Sequence, residues 1–140
     1  MNLVISKLTS GWIITRSRYQ ELLCKSDQVE LTNLSSYYLA VYAINSQFTR
    51  ITCYPINTTS IIKVTLEVQD DLPKTTPFLL KTFKTFQIIH TTGISKIKAV
   101  YLTEFYLAYP FSTEEISQLK STLLNHKQIF QCSIESISQL

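Results

Sequence analysis

A chain of 140 residues, 45% apolar and 16% charged, has the make-up of a folded globular domain and lies far from the disordered class. Its net charge of +3 is mild and by itself points to no anionic partner. Only Gly11 and Gly93 are glycines, where average usage would supply about ten. That scarcity excludes phosphate-cradling loops, dinucleotide fingerprints and nucleophile elbows, all of which need several positions of open backbone.

Residues 1–60 read as an N-terminal extension. Met1 to Lys7 lacks the apolar core of a signal peptide. Trp12-Ile13-Ile14 suggests a short strand, and Arg18 to Lys25 a helix. Tyr37 to Ile44 and Phe48 to Tyr54, joined by the polar Asn45-Ser46-Gln47, suggest a hairpin; a helix over 34–44 is the competing reading.

The pattern from residue 61 onward is more regular. Ile62, Val64, Leu66 and Val68 alternate with Lys63, Thr65 and Glu67, as on a half-buried strand. Asp70-Asp71-Leu72-Pro73-Lys74 breaks it. Thr76 then offers an N-cap and Pro77 the first helical position, followed by Leu79, Leu80, Phe83 and Phe86 at helical spacing. Gln87 to Thr92 is a second strand, Gly93 a turn, and Ile97 to Tyr109 a long third strand ended by Pro110. Ser112-Thr113-Glu114-Glu115 forms a capping box for a helix that closes near Asn125, and Ile129 to Glu135 alternates as a last strand.

The third strand carries apolar residues on both faces: Ala99, Tyr101, Phe105 and Leu107 on one, Val100, Leu102, Tyr106 and Ala108 on the other. A sheet with helices on one side should leave the other face polar. Its cover is expected to be residues 1–60, with a partner subunit as the alternative. The expected organisation is therefore a single domain, 1–140, in which the 1–60 extension packs on a 61–140 core.

Catalytic groups are scarce. Asp70 and Asp71 are adjacent, so on a strand they would point to opposite faces, and a solvated turn suffices to explain them. Glu114 and Glu115 are accounted for by capping. His126 belongs to a helix end and His90 to a strand, and neither has a nucleophile at a recognisable spacing. Cys24, Cys53 and Cys132 are odd in number, with no C-x-x-C, and read as buried free thiols of a reducing compartment. No catalytic residue, metal or cofactor follows, and the expectation is not an enzyme. No apolar run reaches the roughly 18 residues of a membrane span, so the expected location is cytoplasmic.

One stretch is electrostatically distinctive. Lys74, Lys81, Lys84, Lys96 and Lys98, with His90, occur without an intervening acid. Backbone N–H groups at the helix start near Lys74, Thr75 and Thr76 would favour a carboxylate or phosphate.

Strand, Asp71-Leu72-Pro73, apolar helix, two strands and a capped second helix leading to a final strand together resemble the ACT domain over residues 61–140. That resemblance implies an α+β fold with a ferredoxin-like β-α-β-β-α-β antiparallel sheet. It also implies a regulatory module that self-associates into a homo-oligomer and binds a small carboxylate or amino acid. The residues it points to are Asp71, Leu72 and Pro73, faced by His90 and Thr91, to which the basic stretch adds Lys74, Thr75 and Thr76 at the helix start and Lys81, Lys84, Lys96 and Lys98 as an anion patch. Lys74 stands where the family has glycine, a departure that a domain kept for oligomerisation alone would also show. RNA-recognition folds share the topology, but Lys98 to Phe105 lacks their glycine and second basic residue. Nucleic acid is accordingly a minor alternative, as is a structural subunit using the aromatic third strand for contact.

Overall fold

The structure, a computed structural model, describes residues 7–23, 35–44, 47–69, 72–97, 100–108 and 112–139, with 72–74 as backbone only. It is α+β with antiparallel sheets, and it divides into two compact units.

The smaller unit holds residues 9–59 and a returning segment from Ile137. Strand β1 (Ser10–Thr15) leads into helix α1 (Arg16–Leu23), and β2 (Tyr37–Ile44) pairs antiparallel with β3 (Thr49–Ile56). The sheet order is β1-β2-β3. The hairpin expected over 37–54 is present, and the competing helix over 34–44 is not, because alternating Tyr38 and Ala40 supply one buried stripe with Ile14. Tyr19 of α1 stacks on Tyr38 with ring centroids 3.9 Å apart. Thr15 Oγ1 accepts the Arg18 N–H at 3.3 Å and so caps the helix start. On the outer side of β1, Ile13 N–H donates to the Ser138 carbonyl at 3.0 Å.

The larger unit contains residues 60–136 together with Lys7 and Leu8. Its elements are β4 (Ile61–Val68), α2 (Leu72–Thr82), β5 (Gln87–Ile97), β6 (Val100–Ala108), α3 (Thr113–Leu124) and β7 (Ile129–Ser136). The sheet order is β5-β6-β4-β7, and all neighbours are antiparallel. Val64, Leu66, Phe105 and Leu107 form one sheet face, packed against Leu79 and Phe83 of α2 and Leu119 and Leu123 of α3. Both helices therefore cover the same face. Ser112 caps α3, accepting the Glu115 N–H at 3.1 Å, and Glu115 reaches back to it, its Oε1 accepting from the Ser112 hydroxyl at 3.2 Å.

Three boundaries of the larger unit differ from the sequence reading, and in the smaller one α1 starts at Arg16, two residues before the expected Arg18. Helix α2 begins at Leu72, not after Thr76, so Pro77 lies inside it. Pro73, at the second helical position, meets the same N-terminal preference that Thr76-Pro77 imitates one turn later. Gly93 is not a turn: β5 runs through it to Ile97, with φ +69 at the glycine. The register steps from Thr91↔Phe105 to Ile94↔Thr103, and from Ile88↔Leu107 to His90↔Tyr106, so β5 carries two single-residue bulges. Consequently β6 starts at Val100, and the connection between the strands falls at 98–99, outside the described residues. Asp70, Asp71, Asn45, Ser46 and Pro110 lie outside them as well.

Candidate functional site

The bulge at Gly93 shapes a cavity. Thr91 Oγ1 accepts the Gly93 N–H at 3.2 Å, while Thr92 Oγ1 donates to the Gly93 carbonyl at 2.9 Å and accepts the Glu104 N–H at 3.0 Å. Threonine hydroxyls thus replace ladder bonds that the extra residue removes. Because of that residue, Thr91 and Ile94 meet β6 partners on the same face, the one covered by the helices.

Above this stretch, Leu79 of α2 is buried against the sheet, while Thr76 and Leu80, four apart on the helix, lie toward its exposed side. Thr76, Leu79 and Leu80 of α2, Thr91, Gly93 and Ile94 of β5, and Thr103 and Phe105 of β6 line an open-sided cavity of about 310 Å³. Leu80, 60% exposed, stands at the mouth. Thr103 is only 1% exposed, and its Oγ1 has no hydrogen-bond partner. An orphaned buried hydroxyl costs about 1–3 kcal/mol, so the position is costly unless something meets it.

The residues expected to form a ligand site are divided by the sheet. Thr76 and Thr91 come together on the cavity wall. Thr75 is buried in α2. His90 pairs with Tyr106, on the opposite face from Thr91, with ring centroids 5.8 Å apart. Leu72, Pro73 and Lys74 lie in the first turn of α2, and Asp71 is outside the described residues. The anion patch is not one surface. Lys81 and Lys84 are exposed around the C-terminal end of α2, whereas Lys96 lies near the far end of β5 with its Nζ 5.8 Å from the Tyr101 ring. The length of β5 separates them, roughly 25–30 Å. Lys98 is outside the described residues.

The opposite face of the sheet holds a group of residues that sequence reasoning passed over. Lys63 of β4 is 1% exposed and Glu104 of β6 0%, with Lys63 Nζ 3.0 Å from Glu104 Oε2. Leu8 N–H donates to the same oxygen at 2.9 Å. Lys63 Nζ also lies 5.7 Å from the centre of the Tyr106 ring and 4.0 Å from Glu135 Oε1, and Lys7 approaches Glu135 Oε2 at 3.7 Å. Each buried charge is thereby met by charge, ring or amide. The half-buried strand expected over 62–68 is instead buried on both faces, and Glu104, a charge in a third strand apolar on both faces, was the available signal. Burial pushes the His90 imidazole below its ordinary pKa, against a smaller upward pull from Glu104.

His126 Nδ1 accepts the Gln128 N–H at 3.2 Å, and its ring stacks on Phe78 with centroids 4.1 Å apart. Burial pushes the Cys132 thiol up to about 11, with a smaller downward pull from Lys120, so the group is protonated at neutral pH. Burial raises Cys53 too, and Cys24 lies outside the described residues. Among the described residues no group of three or more His, Cys, Asp or Glu side chains is placed to hold a metal ion. No described helix is long and apolar enough to cross a membrane. No family model matches the chain, and no curated protein matches it significantly.

Proposed function

We propose that the protein is a non-enzymatic binding module of ACT-like, ferredoxin-like kind, which takes a small organic ligand between α2 and β5. The observation that carries this reading is the 310 Å³ cavity, which joins Thr76 and Thr91 and includes in its wall a buried hydroxyl without a partner. Such a volume is at the lower end of small-molecule sites, which are concave, mostly apolar and furnished with a few polar groups. The ferredoxin-like assignment is supported by the order β5-β6-β4-β7 with both helices on one face. A regulatory role would follow if ligand occupancy changed how α2 rests on the sheet.

The alternative of a contact surface on the aromatic third strand draws no support from Phe105 and Leu107 of β6, which belong to the core beneath the helices. Self-association along β5 would meet two bulges at that edge, features that discourage strand pairing.

A thermal-shift panel of amino acids, small carboxylates and small neutral molecules tests the proposal. A ligand at a hundred times its Kd adds about 2.7 kcal/mol of stability. At least one member should stabilise the wild type and lose its effect in Leu80→Trp, which adds bulk at the mouth. A panel with no stabilising member, or stabilisation unchanged in that variant, would refute the proposal.

A further inference from the structure

We infer that the ligand of the α2–β5 cavity is a small neutral molecule, mainly apolar, carrying one hydroxyl or carbonyl oxygen that meets Thr103 Oγ1. This deepens the preceding proposal and rests on it. It also departs from the carboxylate that the sequence suggested.

Four observations lead to this class. The wall is built from Leu79, Leu80, Ile94 and Phe105 with three threonines and a glycine, and no charged side chain belongs to it among the described residues. A carboxylate or ammonium seated against such a lining would give up part of its hydration with no counter-charge in return, which is more costly than burying a neutral oxygen. The wall begins at Thr76, the fifth residue of α2, past the free amides of the first turn that could have served an anion and to which Pro73 adds none. Thr91 Oγ1 is already engaged with the Gly93 amide. Thr103 alone of the wall's buried side chains presents a polar atom without a partner, and a hydroxyl can both donate and accept. Size sets the last limit. An apolar cavity of about 150 Å³ holds benzene, so 310 Å³ suits a molecule of about ten heavy atoms.

A matched series provides the test: 3-phenylpropan-1-ol, 3-phenylpropanoate, 3-phenylpropylammonium and propylbenzene, titrated into the whole chain while the methyl resonances of Leu79, Leu80 and Ile94 are followed. The alcohol should shift those methyls and bind at least tenfold tighter than either ion. Thr103→Val removes an unpaired hydroxyl, so folding is not the obstacle. It should weaken the alcohol several-fold and leave propylbenzene unchanged. Tightest binding by the carboxylate or ammonium at these methyls would overturn the inference while leaving the cavity as the binding site. An alcohol-to-propylbenzene affinity ratio unaltered in Thr103→Val would overturn it as well. If none of the four shifts the methyls and the wider panel also fails, the inference and the proposed function fall together.

Discussion

The two faces of the four-stranded sheet bury polarity in opposite ways. Beneath the helices, Thr103 carries a hydroxyl without a partner beside a cavity. On the other face, Lys63 and Glu104 are as deeply buried, yet they hold each other at 3.0 Å, with the Leu8 amide completing the carboxylate. The difference separates two meanings of a buried polar group. A partnered group fixes the fold, because losing its partner exposes the full cost of desolvation. An unpartnered one beside open volume leaves an interaction for a ligand to complete.

The largest effect should come from breaking the ion pair. Glu104→Ala leaves Lys63 buried without its principal counter-charge and should cost about 3–5 kcal/mol in urea unfolding. The double substitution Lys63→Met with Glu104→Leu should restore most of that loss. If the single variant costs less than about 1 kcal/mol, the pair does not hold the fold.

Next in size is the bulge. Gly93 has φ +69, and nothing lies within 4 Å of a Cβ added there, so Gly93→Ala meets conformational strain without a clash. A loss of about 1–2 kcal/mol is expected, and Gly93→Asn should lose less, since asparagine tolerates this region better. Equal losses for the two variants would argue against a left-handed residue at this bulge.

Thr103→Val should act in the opposite direction, raising stability by about 1 kcal/mol because an unsatisfied hydroxyl is removed. A destabilised variant would mean that the hydroxyl is satisfied in the folded protein.

The smallest effect is pH-dependent. His90 has a lowered pKa in the folded state, so as pH falls through 6.5 the unfolded chain takes up a proton first. Stability from this group is present above that pH and is lost below it, levelling off once the folded imidazole also protonates. Between pH 7.5 and 5.5 the wild type should lose more stability than His90→Asn. Parallel curves would show that His90 is not desolvated.

What could be read from the sequence followed the period of its side chains. The alternation of Ile62 to Val68, the Ser112 capping box and the Tyr37–Tyr54 hairpin are local patterns, and each corresponds to an element of the fold. Local chemistry misleads where two solutions share it. Thr76-Pro77 and Leu72-Pro73 both suit a helix start, and only packing selects the earlier one. A glycine with positive φ serves a turn or a bulge equally well, and Gly93 proves to be the second. That bulge lets Thr91 and Ile94 share a face, whereas the expected placing of His90 beside Thr91 in one site fails because adjacent strand residues point to opposite faces. The attraction of Lys63 for Glu104 connects strands 41 residues apart, and no local period reports it.

The most direct test of the account is a crystal structure of the chain soaked with whichever probe stabilises it most. Density for the probe between Leu80 and Thr103, with a ligand oxygen within hydrogen-bond distance of Thr103 Oγ1, is the predicted result. Density elsewhere on the protein, with the α2–β5 cavity closed or holding no probe, would contradict it.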